Sequence, residues 1–253
     1  MFNLGISTTI TYDKDIFSGI ELIANSSFRF VEIRCEKEHF NYEDEKEIKK
    51  LKNTLKKKSL TGISIHHPLW VNVADVDEWM RTKSIREVEK VILVAKKLNI
   101  PKIILHPGKN SGDAEKSSES LSELVSFAEE WDTEIILENT FPDDFGSGID
   151  ELKILSDKFN LPVCIDTSHC SAKDNLLNKF LVTFNGKIKH LHISDSFMKG
   201  SDDHLIPYKG KIIWEPVVEF MNVHEGIGIF EIASWESSNV IKALEKIKNK
   251  WKK

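Results

Sequence analysis

The stretch LPVCIDTSHC, Leu161 to Cys170, joins a strand-like apolar run to polar chemistry. Its first half is apolar and β-branched enough to form a strand inside a protein. The run then meets the carboxylate of Asp166, and His169 follows three positions later. An acid and an imidazole at the end of a core strand either cap an exposed turn or bind something that requires both. The other strands of the chain help to choose between these two possibilities.

Apolar or β-branched runs of this kind alternate with charged segments of helical period along the whole chain. The predicted strands are 4–8, 30–34, 62–66, 102–106, 134–138, 162–166, 188–193 and 228–232. The predicted helices are 14–24, 43–57, 77–98, 115–131, 149–158, 174–184, 215–221 and 237–248. Strands without polar alternation, each followed by a helix, indicate a parallel sheet covered by helices.

Eight such units predict an α/β fold, a closed (β/α)8 TIM barrel that forms a single domain over residues 1–253. A doubly wound open sheet is the alternative. It would normally carry a glycine-rich phosphate fingerprint after the first strand, where this chain has Ser7-Thr8-Thr9-Ile10.

Composition supports one large domain, because 253 residues with 40% hydrophobic and 30% charged side chains suit a barrel of this size. The formal charge of −5 gives no global attraction to nucleic acid. No apolar run reaches the roughly 20 residues of a membrane span, and the first residues lack a signal-like pattern, so we expect no membrane association and a cytoplasmic location. Cys35, Cys164 and Cys170 are odd in number and form no C-x-x-C pair, which predicts reduced, structural cysteines.

Metal-competent side chains stand at or near the ends of six successive predicted strands. They are His66, His106, Glu138, Asp166, His192 and Glu231. The carboxyl ends of barrel strands form the mouth of the active site, so these residues are expected to converge. Further candidates in loops on the same side are His169, Asp202 and His204. Carboxylates and imidazoles without thiolates predict a catalytic site for a divalent metal: Zn, Mn, Co or Fe.

Five motifs occur in order at the predicted strand ends: IILHPG, IILENT, CIDTSH, HLHISDS and DDHLIPYKGKIIW. With them the chain resembles the xylose isomerase-like TIM barrels (AP endonuclease family 2) over nearly its whole length. That group includes sugar isomerases and epimerases and the abasic-site nucleases of the endonuclease IV type. The resemblance implies a core metal held by Glu138, Asp166, His192 and Glu231.

The two branches of that group imply two functions. In a sugar or sugar-phosphate isomerase or epimerase, Glu138 and Glu231 would be the catalytic acid–base pair beside the metal, and His169 and His204 would orient substrate hydroxyls. In a zinc-dependent abasic-site endonuclease, a cluster of up to three metal ions, instead of one, would support hydrolysis of a phosphodiester. The additional ions would be bound by residues that correspond to His66, His106, His169, Asp202 and His204, although His67 competes with His66.

The loops favour the sugar branch, with DNA a partner only under the alternative. The loop RCEKEHF is acidic and mixed, and Asp203 stands where the nucleases carry an arginine. Trp70 is either a wedge for a duplex, a lid over a sugar ring, or a packing residue. Lys109 either meets a substrate phosphate or is a solvated lysine. The sequence selects neither the sugar, nor the metal, nor the oligomeric state.

Overall fold

Eight parallel strands close into a barrel in the computed structural model, which describes residues 2–11, 13–110, 112–172, 174–232 and 237–251. Each strand pairs with its sequence neighbours, and β1 closes the ring against β8. The strands are β1 Asn3–Ser7, β2 Phe30–Arg34, β3 Thr61–His66, β4 Lys102–Leu105, β5 Glu134–Glu138, β6 Val163–Asp166, β7 Ile188–Ile193 and β8 Ile227–Phe230. The fold is the predicted (β/α)8 TIM barrel rather than a doubly wound sheet.

A helix follows each strand on the outside of the barrel. The helices are α1 Ile16–Ala24, α2 Glu45–Lys57, α3 Glu78–Leu98, α4 Ala114–Glu130, α5 Ile149–Lys158, α6 Leu177–Thr183, α7 Glu215–Val223 and α8 Ser237–Trp251. Short 3-10 helices add Thr8–Thr11 after β1 and His169–Ser171 after β6.

Aspartate N-caps set the beginnings of several helices. Asp15, Asp44, Asp77 and Asp113 each accept a hydrogen bond from a backbone N–H in the first turn of α1, α2, α3 and α4. A capping residue has extended backbone and lies outside the helix it caps. For this reason the first three of these helices begin one or two residues later than the sequence pattern predicted.

Side chains alternate between the two faces of each strand, which divides the core into two layers. Val31 and Ile33 of β2 belong to the large apolar layer between strands and helices. Ile104 of β4, Ile136 of β5 and Cys164 of β6 form a separate small apolar cluster. The three cysteines are buried and free, as predicted. None of the helices in the described ranges is both long and apolar enough to cross a bilayer.

Candidate metal centre and active site

A cavity of about 410 Å³ opens at the carboxyl end of the barrel. Its walls are formed by Thr9, Arg34, His66, Leu69, His106, Lys109, Glu138, Phe141, Asp144, His169, Asp202, His204 and Glu231. Seven of the nine predicted metal ligands are among them, and the other two, Asp166 and His192, lie buried in contact with these walls. His106 and Glu231 lie one residue beyond the ends of β4 and β8 rather than within them.

A central group of ligands surrounds the Nδ1 atom of His192. That atom lies 2.8 Å from Glu138 Oε1, 3.0 Å from Glu231 Oε2 and 4.0 Å from Asp166 Oδ2. Burial alone would raise the pKa of both glutamates. The charges and hydrogen bonds of His192 and the neighbouring histidines together outweigh burial, so the pKa of Glu138 falls well below its ordinary value and that of Glu231 falls to about 2. Both carboxylates are therefore ionised at neutral pH.

The two carboxylate oxygens of Asp166 have different surroundings: one is hydrogen-bonded within a turn, and the other faces the central group. Its Oδ1 accepts the backbone N–H of His169 at 2.8 Å, which caps the turn after β6. Its Oδ2 is buried and has no hydrogen-bond partner among the described residues. The acid that ends the LPVCID strand thus fixes the local turn and also presents a free oxygen to the central group.

A second group shares Glu138 with the first. The Nε2 atoms of His66 and His106 each lie 3.2 Å from Glu138 Oε2, while Oε1 of the same carboxylate faces His192. One carboxylate with its two oxygens directed to two sets of imidazoles is suited to bridge two cations.

An outer group lies toward solvent. Asp202 Oδ1 lies 2.9 Å from His204 Nε2 and 3.6 Å from His169 Nε2. Burial lowers the pKa of these imidazoles, but neighbouring carboxylates outweigh it. Asp166 and Asp202 hold the pKa of His169 well above its ordinary range, and Asp202 raises the pKa of His204 to about 9. In the metal-free protein both side chains are cationic at neutral pH.

Backbone carbonyls orient three of the imidazoles in the same way. The Nδ1 atom of His66 is 2.8 Å from His67 O, that of His169 is 3.0 Å from Asn139 O, and that of His204 is 3.0 Å from Glu231 O. A carbonyl accepts only from N–H, so each Nδ1 carries a proton and each Nε2 is left for the pocket. Histidine ligands of metals are held by this kind of partner.

His67 has a different arrangement from its neighbour. Its Nδ1 lies 2.7 Å from Pro68 O, and its Nε2 accepts the backbone N–H of His106 at 3.1 Å. Burial lowers the pKa of His67 well below its ordinary value, so the ring is neutral. Both ring nitrogens are used inside the protein, which leaves His66 as the histidine that faces the pocket.

The donor atoms of the first two groups suit a divalent cation. Glu138 Oε2, Asp166 Oδ2 and His106 Nε2 are buried and lack hydrogen-bond partners within the described ranges. Such polar atoms are costly unless something satisfies them, and ionised carboxylates gathered together repel one another. Carboxylate oxygen with imidazole nitrogen is the ligand set of zinc, manganese and iron sites.

Sequence reasoning did not include Glu32 in the site. This carboxylate is fully buried in β2, and its oxygens lie 3.0 Å from His192 Nε2 and 3.1 Å from His190 Nε2. Ser64 Oγ also donates to it at 2.7 Å. Glu32 therefore holds His192 from the side opposite the central group. The available signal was a charged residue between Val31 and Ile33 in an apolar strand.

Lys109 and Trp70 lie at the rim. Lys109 lines the cavity, and its Nζ donates to Leu69 O at 3.2 Å. Trp70 is 36% exposed and stands next to Leu69, with the Nζ of Lys83 4.8 Å from its ring centre. Trp70 is not among the cavity-lining residues of the described chain.

Comparisons with known proteins show the family and the fold of the chain. The family model "Xylose isomerase-like TIM barrel" matches residues 20–250. A probable endonuclease 4 of Persephonella marina is 30% identical over 130 residues, 46% of this chain and 45% of that protein. The solved structure of a D-tagatose 3-epimerase-like protein has a TM-score of 0.86 at 24% identity and covers 98% of this chain and 96% of that one. The structure of an IOLI protein with a binding zinc atom has a TM-score of 0.82 at 17% identity, with 99% and 98% covered. The two structures share the fold.

Proposed function

Since the chain belongs to the xylose isomerase-like TIM barrel family, we propose that it is a metal-dependent isomerase or epimerase that transfers a proton beside the carbonyl of a sugar or sugar phosphate. The observation that carries this proposal is the convergence of Glu138 and Glu231 on His192 Nδ1, at 2.8 and 3.0 Å, beside a cavity of small-molecule size. The epimerase-like solved structure and the zinc-containing IOLI structure, which share this fold, support it.

Glu138, Asp166, His192 and Glu231 would hold the cation of this reaction. A divalent cation bound there would polarise the substrate carbonyl and stabilise negative charge on its oxygen. Glu231 and Glu138 have pKa values held below the ordinary range, so each is ionised, which is the state that a general base requires. His169 and His204 would donate hydrogen bonds to substrate hydroxyls from the outer side of the cavity.

Charge at the rim favours a small substrate over duplex DNA. Asp144 lines the cavity, Glu36 lies beside it through its hydrogen bond with Leu69 N, and Asp203 stands between the outer ligands Asp202 and His204. DNA binding depends on lysine and arginine that neutralise phosphates, and three acids around the mouth oppose it.

Proton exchange tests the proposal directly. Metal-loaded protein is incubated in deuterated water with ketoses, aldoses and their phosphates, and NMR follows deuterium at the carbon beside the carbonyl. Glu138→Gln and Glu231→Gln are expected to slow exchange by about 10²–10⁴-fold, the usual contribution of an acid–base group. Glu134→Gln, at the opposite end of β5 and exposed, is the matched control and should exchange at the normal rate. Absence of exchange with every substrate, or full exchange in both site variants, would contradict the proposal.

A second candidate, metal-dependent phosphodiester hydrolysis, is favoured by one specific observation. Nine potential ligands form three groups around Glu138 and Asp202, which is more than a single-cation reaction requires. The endonuclease 4 relative supports the same function. Metal analysis separates the candidates, because about one ion per chain supports the sugar reaction and about three support hydrolysis. Incision of an abasic-site duplex, together with no proton exchange, would replace our first proposal with this one.

A further inference from the structure

Arg34 is a buried cation that the residues around it leave largely unsatisfied. It is the last residue of β2, its side chain is 4% exposed, and it lines the cavity. Its Nε is buried without a hydrogen-bond partner among the described residues. The nearest carboxylate oxygens are Glu231 Oε1 at 3.5 Å and Glu36 Oε1 at 3.7 Å, both longer than a hydrogen bond. A guanidinium has five donors, and leaving them unpaired inside a protein is costly.

Thr9 adds a second free donor from the neighbouring segment. It lies in the 3-10 helix after β1, is 7% exposed and lines the same cavity. Its Oγ1 is buried and has no partner within the described ranges. The Arg34 backbone N–H donates to Thr8 Oγ1 at 3.0 Å, which fixes the two segments together. Two buried donors, one just after β1 and one at the end of β2, therefore line one cavity beside the central group.

We propose that Arg34 and Thr9 form an anion subsite that binds the phosphate group of the substrate, so that the substrate is a phosphorylated sugar rather than a neutral one. This inference rests on the proposed function and narrows its substrate class. The planar guanidinium matches two phosphate oxygens, and the hydroxyl supplies a donor for a third. Lys109, which lines the same cavity, adds positive charge.

Phosphate binding at this subsite requires a divalent cation bound by the central group. Glu138, Asp166 and Glu231 would repel a phosphate in the metal-free protein, and bound divalent cations would remove that repulsion. The subsite therefore predicts phosphate binding to the metal-loaded protein that depends on Arg34 as well as on the metal.

Calorimetric titration of inorganic phosphate into metal-loaded protein provides the test, with no need for turnover. Arg34→Gln is expected to weaken phosphate binding by about 10–100-fold, because it removes a charge and two donors, and Thr9→Val by about 3–10-fold, because it removes one uncharged donor. Arg34→Lys keeps the charge without the fork and should give an intermediate loss. Arg86→Gln, at an exposed position in α3, is the control and should bind normally.

Three results would overturn the inference. Unchanged phosphate affinity in folded Arg34→Gln and Arg34→Lys would mean that phosphate binds only the metal. A loss of metal affinity that accounts for the loss of phosphate would make Arg34 a support for Glu231 instead. Tighter binding of acetate than of phosphate, with the same dependence on Arg34, would assign the subsite to carboxylates. None of these three measurements depends on isomerase activity. The proton-exchange experiment therefore detects a failure of the proposed reaction separately.

Discussion

Replacement of Glu32 by glutamine should weaken metal binding although Glu32 does not face the cavity. Glu32 lies behind His192, with Oε1 3.0 Å from its Nε2, while the Nδ1 of the same ring faces Glu138 and Glu231. Burial would raise the pKa of Glu32, but His192 and His190 outweigh it and hold that pKa well below the ordinary range. The carboxylate is thus ionised and pairs with the Nε2 side of His192, so that Nδ1 is the ring nitrogen that would give up its proton to a bound cation.

The expected loss of metal affinity in Glu32→Gln follows from the number of hydrogen-bond acceptors that the side chain offers. The two oxygens of Glu32 accept from Ser64 and face two imidazoles, whereas glutamine has one acceptor and one donor at the same positions. If the amide donor faces His192, the ring must move its proton to Nδ1, where it blocks the metal. Loss of the Glu32–His192 ion pair, valued like a hydrogen bond to a charged group, costs about 1.5–3 kcal/mol, equivalent to about 10–150-fold in metal affinity. Losses of about 10–100-fold are typical for such partners of metal ligands.

The assay is competition for zinc or manganese between the protein and a chromophoric chelator. Far-UV circular dichroism shows whether each variant is folded. Glu87→Gln is the matched control, because Glu87 is also a buried carboxylate, bonded to Tyr42 at 2.6 Å, but it belongs to α3 and lies outside the cavity walls. Folded Glu32→Gln with a metal affinity within twofold of the original protein would show that Glu32 does not orient His192.

Further predictions concern protons and metal. Because the pKa of His204 is raised to about 9, a metal that binds there at pH 7.5 should displace a proton, and its affinity should rise about tenfold per pH unit up to pH 9; calorimetry in two buffers of different ionisation enthalpy measures the protons released. The metal-free protein should be most stable between about pH 4.5 and 6.5, since the lowered pKa of Glu231 adds stability that is lost as pH falls through about 2, and the raised pKa of His204 adds stability that is lost as pH rises through about 9. Equal thermal stability at pH 5.5 and 9.5 would refute the contribution of His204. Chelation of a bound ion present at 100 times its dissociation constant should remove about 2.7 kcal/mol, which for a chain of this size lowers Tm by about 5–10 °C in a calorimetric scan.

The sequence determined the architecture of this protein and the types of its ligands. Eight strand–helix units could be counted because apolar runs and helical periods are local properties, and the acids and histidines stood at strand ends that a barrel brings together. The shared carboxyl edge allowed residues as distant as His66 and Glu231 to be placed in one site. The first residues of α1, α2 and α3 differed because capping aspartates lie outside the helices that they begin, and several strand ends shifted by one or two residues.

Only the tertiary structure decided which atoms face the cavity. His66 and His67 are adjacent and alike in sequence, yet His67 uses both nitrogens on backbone groups of other segments. Glu32 and Arg34 share the inward face of β2 because they are two residues apart, and their partners lie on β7 and after β8. The direction of a ring nitrogen and the absence of a partner for a buried donor depend on residues distant in sequence, so no local pattern could predict them.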